Sequence, residues 1–346
     1  MTTVPTSGGA SDLSTLRVRL DSLRTEAGIP GLAVAVVHRG ESLGAFGLGT
    51  ADIQSGRPVT GDTPFNIASV SKPISAVVAM RLRELGLLDL DAPLTGYKGF
   101  AEFCVAALER GGLFFGDWSC ADPSLTMRHV LTMTSNGVPG TRFFYNPVAF
   151  SWMSRPMAEV GGAAFSDLVA THVFHPAGMI RSARRHRDLP LRTDLERDLA
   201  QPHVLASNGY PARSDPPPPQ GDGAAGGVIA TASDLARFDI SLDSNELVSE
   251  SSRAEMWDPA APGVPYGIGW FVDEVLGEQA VWHTGLWEGA YSALYLKVLS
   301  RDATLILLAN SDGLRWPGRL DEAGLERSPF ARAFFEWLAS LPGTSA

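Results

Sequence analysis

The chain has 346 residues, of which 45% are hydrophobic and 19% charged, and its net charge is −10. That length buries a substantial core, and the composition excludes a disordered or fibrous polymer. The acidic balance excludes a broad nucleic-acid surface, which needs clustered Lys and Arg to neutralise phosphate.

Taken in chain order, residues 1–11 read as a flexible tail. They lack a basic segment followed by an apolar one, so the expectation is a cytoplasmic chain, or a periplasmic or secreted one if a leader has been trimmed. No run of about 18 apolar residues occurs, so no membrane association is expected. Leu13 to Ala27 carries apolar residues at helical spacing and predicts an amphipathic helix, broken at Gly28-Ile-Pro-Gly31. Leu32 to Val37 predicts a buried strand, and Ser42 to Gly49 its hairpin partner. A long buried helix is predicted from about Ser69 to Leu88.

From Asp89 to about Gly223 the pattern is helices and loops, clearest at Arg128 to Met133 and Phe165 to Phe174. The run Arg181-Ser-Ala-Arg184-Arg185-His186-Arg187 reads as a solvated loop or helix end. Ser214 to Gly223, with four successive prolines, is a loop. A turn after Gly226-Gly227 leads into a helix over Ala232 to Leu242, capped by Thr231 or Ser233. Strands follow at Ile268 to Val275, Ala280 to His283, Ala290 to Val298 and Ala303 to Leu308, then a helix over Phe330 to Leu341. Strands at both ends most simply share one antiparallel sheet flanked by helices, with a mainly helical subdomain inserted. The expected class is α/β of the α+β type. A single catalytic domain would run over 12–346, with 12–75 and 226–346 forming the sheet part and 76–225 the helical part.

Cys104 and Cys120 are the only cysteines and read as reduced, partly buried thiols. No Cys/His ligand spacing predicts a metal site, and no cofactor is expected. Lysine occurs only at 72, 98 and 297, leaving 25 of 28 basic residues to arginine. Arginine keeps its proton in a protein whereas a buried lysine can give it up, so Lys72 hints at a site that needs a titratable amine. It completes Ser69-Val-Ser-Lys72, the chain's one Ser-x-x-Lys. Residues three apart share a helix face, so a lysine depressed by burial can take the serine proton. Backbone N–H groups at the helix start favour the oxyanion that develops.

With Phe65-Asn-Ile-Ala ahead of it, this motif resembles the serine β-lactamase and penicillin-binding-protein superfamily, in its class C-like branch. That branch includes family VIII carboxylesterases, D-aminopeptidases and lovastatin-type acyltransferases. Further matching segments are Gly28-Ile-Pro-Gly-Leu-Ala-Val-Ala-Val-Val, Leu125-Thr-Met-Arg-His-Val-Leu-Thr-Met-Thr-Ser, Val173-Phe-His-Pro-Ala-Gly-Met, Gly226-Gly-Val-Ile-Ala-Thr-Ala-Ser-Asp, Tyr266-Gly-Ile-Gly-Trp and His283-Thr-Gly. The resemblance implies a β-lactamase/transpeptidase-like fold with Ser69 as nucleophile and Lys72 as base.

The family's Tyr-x-Asn falls on Tyr145-Asn146-Pro147, with Phe150 fixing the alignment. Tyr145 is thereby implied as the proton-sharing phenol, while the substrate-holding amide is lost or moved to Asn146. The family's Lys-Thr-Gly falls on His283-Thr284-Gly285, whose glycine would let substrate approach. The N–H of Leu286 would be the second oxyanion donor, and His283 would serve as a neutral donor or, if its pKa rises, as a cation. Losing that lysine removes the partner of a substrate carboxylate. The expected activity is hydrolysis of a small-molecule carboxylic ester through a Ser69 acyl-enzyme, with weak β-lactam or amide hydrolysis alongside. The alternatives are an acyltransferase with an alcohol acceptor, a β-lactamase or D-amino-acid peptidase, and a non-catalytic penicillin-recognising protein. Trp118, Phe143, Phe144, Trp152, Trp282 and Trp287 are expected near the cleft, and residues 95–124 form a lid or a longer loop. Oligomeric state is left open.

Overall fold

A computed structural model describes residues 13–118, 120, 122–205, 210–315 and 324–341; the tail expected over 1–11 lies outside them. The centre is a seven-stranded antiparallel sheet. Its strands are β1 (Gly31–His38), β2 (Glu41–Asp52), β3 (Arg57–Pro58), β4 (Phe271–Val275), β5 (Glu278–Trp287), β6 (Tyr291–Val298) and β7 (Ala303–Ala309). Their spatial order is β3-β2-β1-β7-β6-β5-β4. The two ends of the chain meet in mid-sheet, where β1 pairs with β7 in the register Leu32↔Ala309 to His38↔Ala303.

Strands β6 and β7 are buried at every position and β1 at all but His38, which requires helices over both faces. Helices α1 (Ser14–Glu26) and α5 (Pro329–Ser340) pack on each other, while α4 (Ala232–Asp243) lies against β1, β2 and β7. Thr231 caps α4 by accepting from the Asp234 N–H at 3.0 Å, satisfying a donor the helix start leaves open. No helix among the described residues is long and apolar enough to cross a membrane.

Several boundaries moved. β4 starts at Phe271 rather than Ile268, because the Ile268 and Gly269 N–H groups are taken by the carbonyls of Met256 and Leu131. Val228–Ala230, expected as a turn, is the middle strand of a small sheet with Phe65–Asn66 and Ala183–Arg184. Helical backbone over Phe165–Val169 widens into a π-type turn over Ala170–Phe174.

The unassigned segment 95–124 contains α3 (Phe100–Arg110) and a turn that folds back on it. Cys104 and Cys120 form a disulfide between the two, with Cα atoms 5.7 Å apart, which corrects the expectation of free thiols. What brings them together is an aromatic cluster of Phe100, Phe103, Phe115, Trp118 and Trp152. Trp118 and Trp152 are therefore core residues rather than cleft walls. A disulfide persists in oxidising surroundings, which leaves the cytoplasmic expectation without support from the cysteines.

Candidate active site

The segment entering α2 (Ser71–Glu84) is built for close approach. Phe65–Asn66 pairs with Val228–Ala230, and a 3-10 turn over Ala68–Val70 follows. Ser69 thus sits in a tight turn just ahead of the α-helix rather than on it. In 3-10 geometry side chains at i and i+3 lie one above the other, which suits Ser69 and Lys72. Ala68 has φ +46°, a conformation that costs a non-glycine residue about 1–2 kcal/mol. The Asn66 side-chain oxygen holds it there by accepting the Ala68 N–H at 2.9 Å.

Every α2 residue from Ser71 to Met80 is buried, and the lysine at its second position reaches only the cleft it lines. Lys72 is 0% exposed. Its Nζ lies 2.8 Å from Ser69 Oγ and donates to the Ala225 carbonyl at 3.2 Å. The rings of Tyr145 and Phe150 stand 5.0 and 5.6 Å from the same nitrogen.

These groups open on a cleft of about 710 Å³. Ser69, Lys72, Tyr145, Thr284 and Leu286 line it; His283 and Gly285 do not. Its walls include Phe114, Val148, Trp287 and the proline loop at Pro217–Pro219. Of the expected aromatics only Trp287 reaches it; Trp282 stacks on Phe271 with ring centres 4.1 Å apart, and Phe143 packs on Tyr266 and Phe271.

His283 is 0% exposed. Its Nδ1 lies 2.7 Å from the Thr284 carbonyl and its Nε2 lies 2.9 Å from the Tyr266 hydroxyl. A carbonyl only accepts, so Nδ1 carries the hydrogen and Nε2 receives that of the tyrosine. Burial, and next the charge of Lys72, hold the imidazole pKa well below its ordinary value. The expectation that His283 offers substrate a donor or a cation is therefore corrected: both nitrogens are engaged and the ring is neutral. It braces the strand.

Gly285 has a different reason from the one expected. A Cβ there would stand 2.2 Å from the Ile67 carbonyl oxygen, so the missing side chain admits the backbone that leads into the Ser69 turn rather than a substrate. Gly285→Ala is expected to push the Ser69 turn off β5, costing roughly 1–3 kcal/mol as overpacking does and depressing turnover. A thermal melt beside an ester assay checks both, and unchanged values would show the contact to be slack.

Asn146 does not replace the lost amide either. It is 1% exposed; its oxygen caps the next helix by accepting the Ala149 N–H, and its nitrogen donates to the Phe114 carbonyl and to Asn136. The disulfide-tied turn is thereby fastened to the Tyr145 loop.

A family model described as Beta-lactamase matches residues 16–325. The chain belongs to the β-lactamase family. Among relatives of this β-lactamase-family chain, Penicillin-binding protein 4* of Bacillus subtilis (strain 168) is 26% identical over 311 residues, covering 81% of this chain and 68% of that protein. Esterase EstB of Burkholderia gladioli is 26% identical over 364 residues, covering 77% and 89% respectively. The solved D-alanine carboxypeptidase AmpC from Burkholderia cenocepacia superposes with a TM-score of 0.72 at 21% identity, covering 96% of this chain and 100% of that one. That last likeness establishes the β-lactamase/transpeptidase-like fold and nothing finer.

Proposed function

We propose that this β-lactamase-family hydrolase cleaves carboxylic esters of apolar acids through an acyl-enzyme on Ser69. One observation carries the reading: the 2.8 Å separation of Lys72 Nζ and Ser69 Oγ on the floor of the cleft. A base must reach the proton it takes, and this nitrogen does.

In the proposed course the Ser69 proton passes to Lys72 as Oγ attacks the acyl carbonyl. The oxyanion settles between the N–H groups of Ser69 and Leu286. Strand alternation supports the second donor. β4 pairs β5 only from Glu278 to Trp282, so beyond Trp282 that side of β5 faces the Ser69 turn instead of a strand. The Trp287 carbonyl turns toward β6 to accept from Ala290 within the hairpin, and its neighbour Leu286 therefore turns its N–H to the opposite side. The leaving alkoxide collects the proton from Lys72 through Tyr145. Water then adds to the acyl carbon and gives a proton to the same pair, which returns it to Ser69 Oγ as the acyl–oxygen bond breaks and the acid leaves.

Ester over amide or β-lactam rests on two motif positions that no longer face substrate; the cations of the cleft, Arg185 and Arg315, stand elsewhere on its lining. The position that would pair with a substrate carboxylate is a buried neutral imidazole, and the Asn146 amide is committed elsewhere. The apolar walls suit a hydrocarbon acyl group, and Esterase EstB, among the relatives, carries the activity in its name. The test is a series of p-nitrophenyl esters from acetate to octanoate, run beside nitrocefin and a D-alanyl anilide with an alcohol added in parallel. Turnover of the esters, butyrate or longer preferred, with free acid as product is expected. Faster cleavage of nitrocefin or the anilide would overturn the ester assignment, and an ester of the added alcohol would make the chain an acyltransferase.

A further inference from the structure

Arg184 is one of the buried charges that the mechanism leaves unused. Arg184 lies in the short strand Ala183–Arg184, with its side chain only 1% exposed. Its guanidinium donates to the Gly226 carbonyl, to the Gly223 carbonyl at 2.8 Å and to Asp222 Oδ1 at 2.9 Å. The remaining Asp222 oxygen accepts the Ser166 N–H at 2.8 Å, and the Phe165 ring lies 5.2 Å from the guanidinium carbon. A hydrophobe of similar volume would fill the spot at lower desolvation cost. What the arginine adds is its grip on carbonyl groups.

Those carbonyls belong to the segment that holds the base. From 223 to 226 each carbonyl oxygen has a side-chain donor: Gly223 and Gly226 from Arg184, Ala224 from Ser75 Oγ at 2.6 Å, and Ala225 from Lys72 at 3.2 Å. A neutral amine has a single lone pair. With one N–H committed to the Ala225 carbonyl, the nitrogen is held 2.8 Å from Ser69 Oγ, within reach of the hydroxyl proton. If the segment swings, the nitrogen swings with it.

We propose that Arg184 is a positioning residue: by gripping the carbonyls of Gly223 and Gly226 it fixes the Ala225 carbonyl between them, and through it the nitrogen of Lys72. The inference rests on the reading of Lys72 as base. Arg184 touches neither substrate nor reacting atoms, and its planar fork, spanning two carbonyls and a carboxylate, is a geometry a lysine cannot copy.

The experiment measures kcat/KM against pH for the full chain and for Arg184→Met, Arg184→Lys and Lys72→Ala with p-nitrophenyl butyrate, alongside thermal melts. Arg184→Met is expected to lower kcat by roughly 10- to 100-fold, the scale of an ångström-sized misplacement, with KM little changed. Its rising pH limb should move to higher pH. Freeing Lys72 lets water reach it and removes a nearby permanent cation, and both favour the protonated amine. Tyr145 from its loop, His283 from β5 and the cleft's Arg185, Glu288 and Arg315 are untouched by these variants, while Asp222 loses its partner in Arg184→Met and so adds to the same upward shift. Arg184→Lys should fall between. A purely structural arginine would lower the melting temperature and leave the limb in place, and a wild-type limb and kcat in the folded variants overturn the proposal. If Arg184→Met gives no cooperative melt, Arg184→Lys decides by the same limb. Wild-type turnover in Lys72→Ala would instead sink the base assignment itself, whereas a dead Lys72→Ala beside wild-type-like Arg184 variants sinks only the positioning claim.

Discussion

Replacing Ser69 with alanine is expected to lower kcat for p-nitrophenyl butyrate by at least about 10⁴-fold, the scale seen when a nucleophile is deleted. The melting temperature should hold. Ser69 is half-buried in its turn, and Lys72 keeps the Ala225 carbonyl after the hydroxyl goes. A fluorophosphonate probe should label the wild type and leave the variant unmarked. Equal labelling of both proteins would move the nucleophile elsewhere, and no labelling of either, with no turnover, would favour a chain that binds without reacting.

The second large effect is at Lys72. Lys72→Arg keeps the charge but cannot surrender a proton, and Lys72→Met keeps the length without the amine. Both are expected to lose about 10³-fold in kcat, within the range ascribed to general acid–base catalysis. The Met variant is the cleaner readout, because a guanidinium must crowd a site that is already 0% exposed. A Met variant that melts like the wild type and turns over ester at an undiminished rate would leave Ser69 without its partner.

How far sequence could reach differs from element to element. α2 and the β1–β2 hairpin were legible because burial imposes a period, and the period is written in side-chain type. Ser69 and Lys72 were legible because their relation is local: three residues apart, they face each other whatever the rest of the chain does. His283 was not. Its neutrality follows from the Tyr266 hydroxyl and from enclosure by distant elements, neither of which has a local signature. The same holds for Asn146, whose amide is claimed by Phe114 and Asn136.

Arg184 is the instructive omission. Within Arg181-Ser-Ala-Arg184-Arg185-His186-Arg187 the basic run reads as solvated throughout. Alternation along a strand sends adjacent side chains to opposite faces, and here Arg184 turns inward to the carbonyls while Arg185 lines the cleft. Arg184 takes that face through its pairing with Val228, a partner distant in the chain that leaves no local signature. The cysteines failed for a related reason: their meeting depends on an aromatic cluster that folds the turn back onto α3.

The pairing of β1 with β7 has a consequence for synthesis. Ser69 and Lys72 leave the ribosome well before Leu286 and the strands that hold β5 in place. Until β7 emerges to fill the gap between β1 and β6, the nascent polypeptide has Ser69 and Lys72 but not the settled β5 that carries the proposed second donor. Catalytic competence should therefore arise late and all at once. Fragments stalled before residue 303 would be inert toward ester, however well their amino-terminal helices had formed.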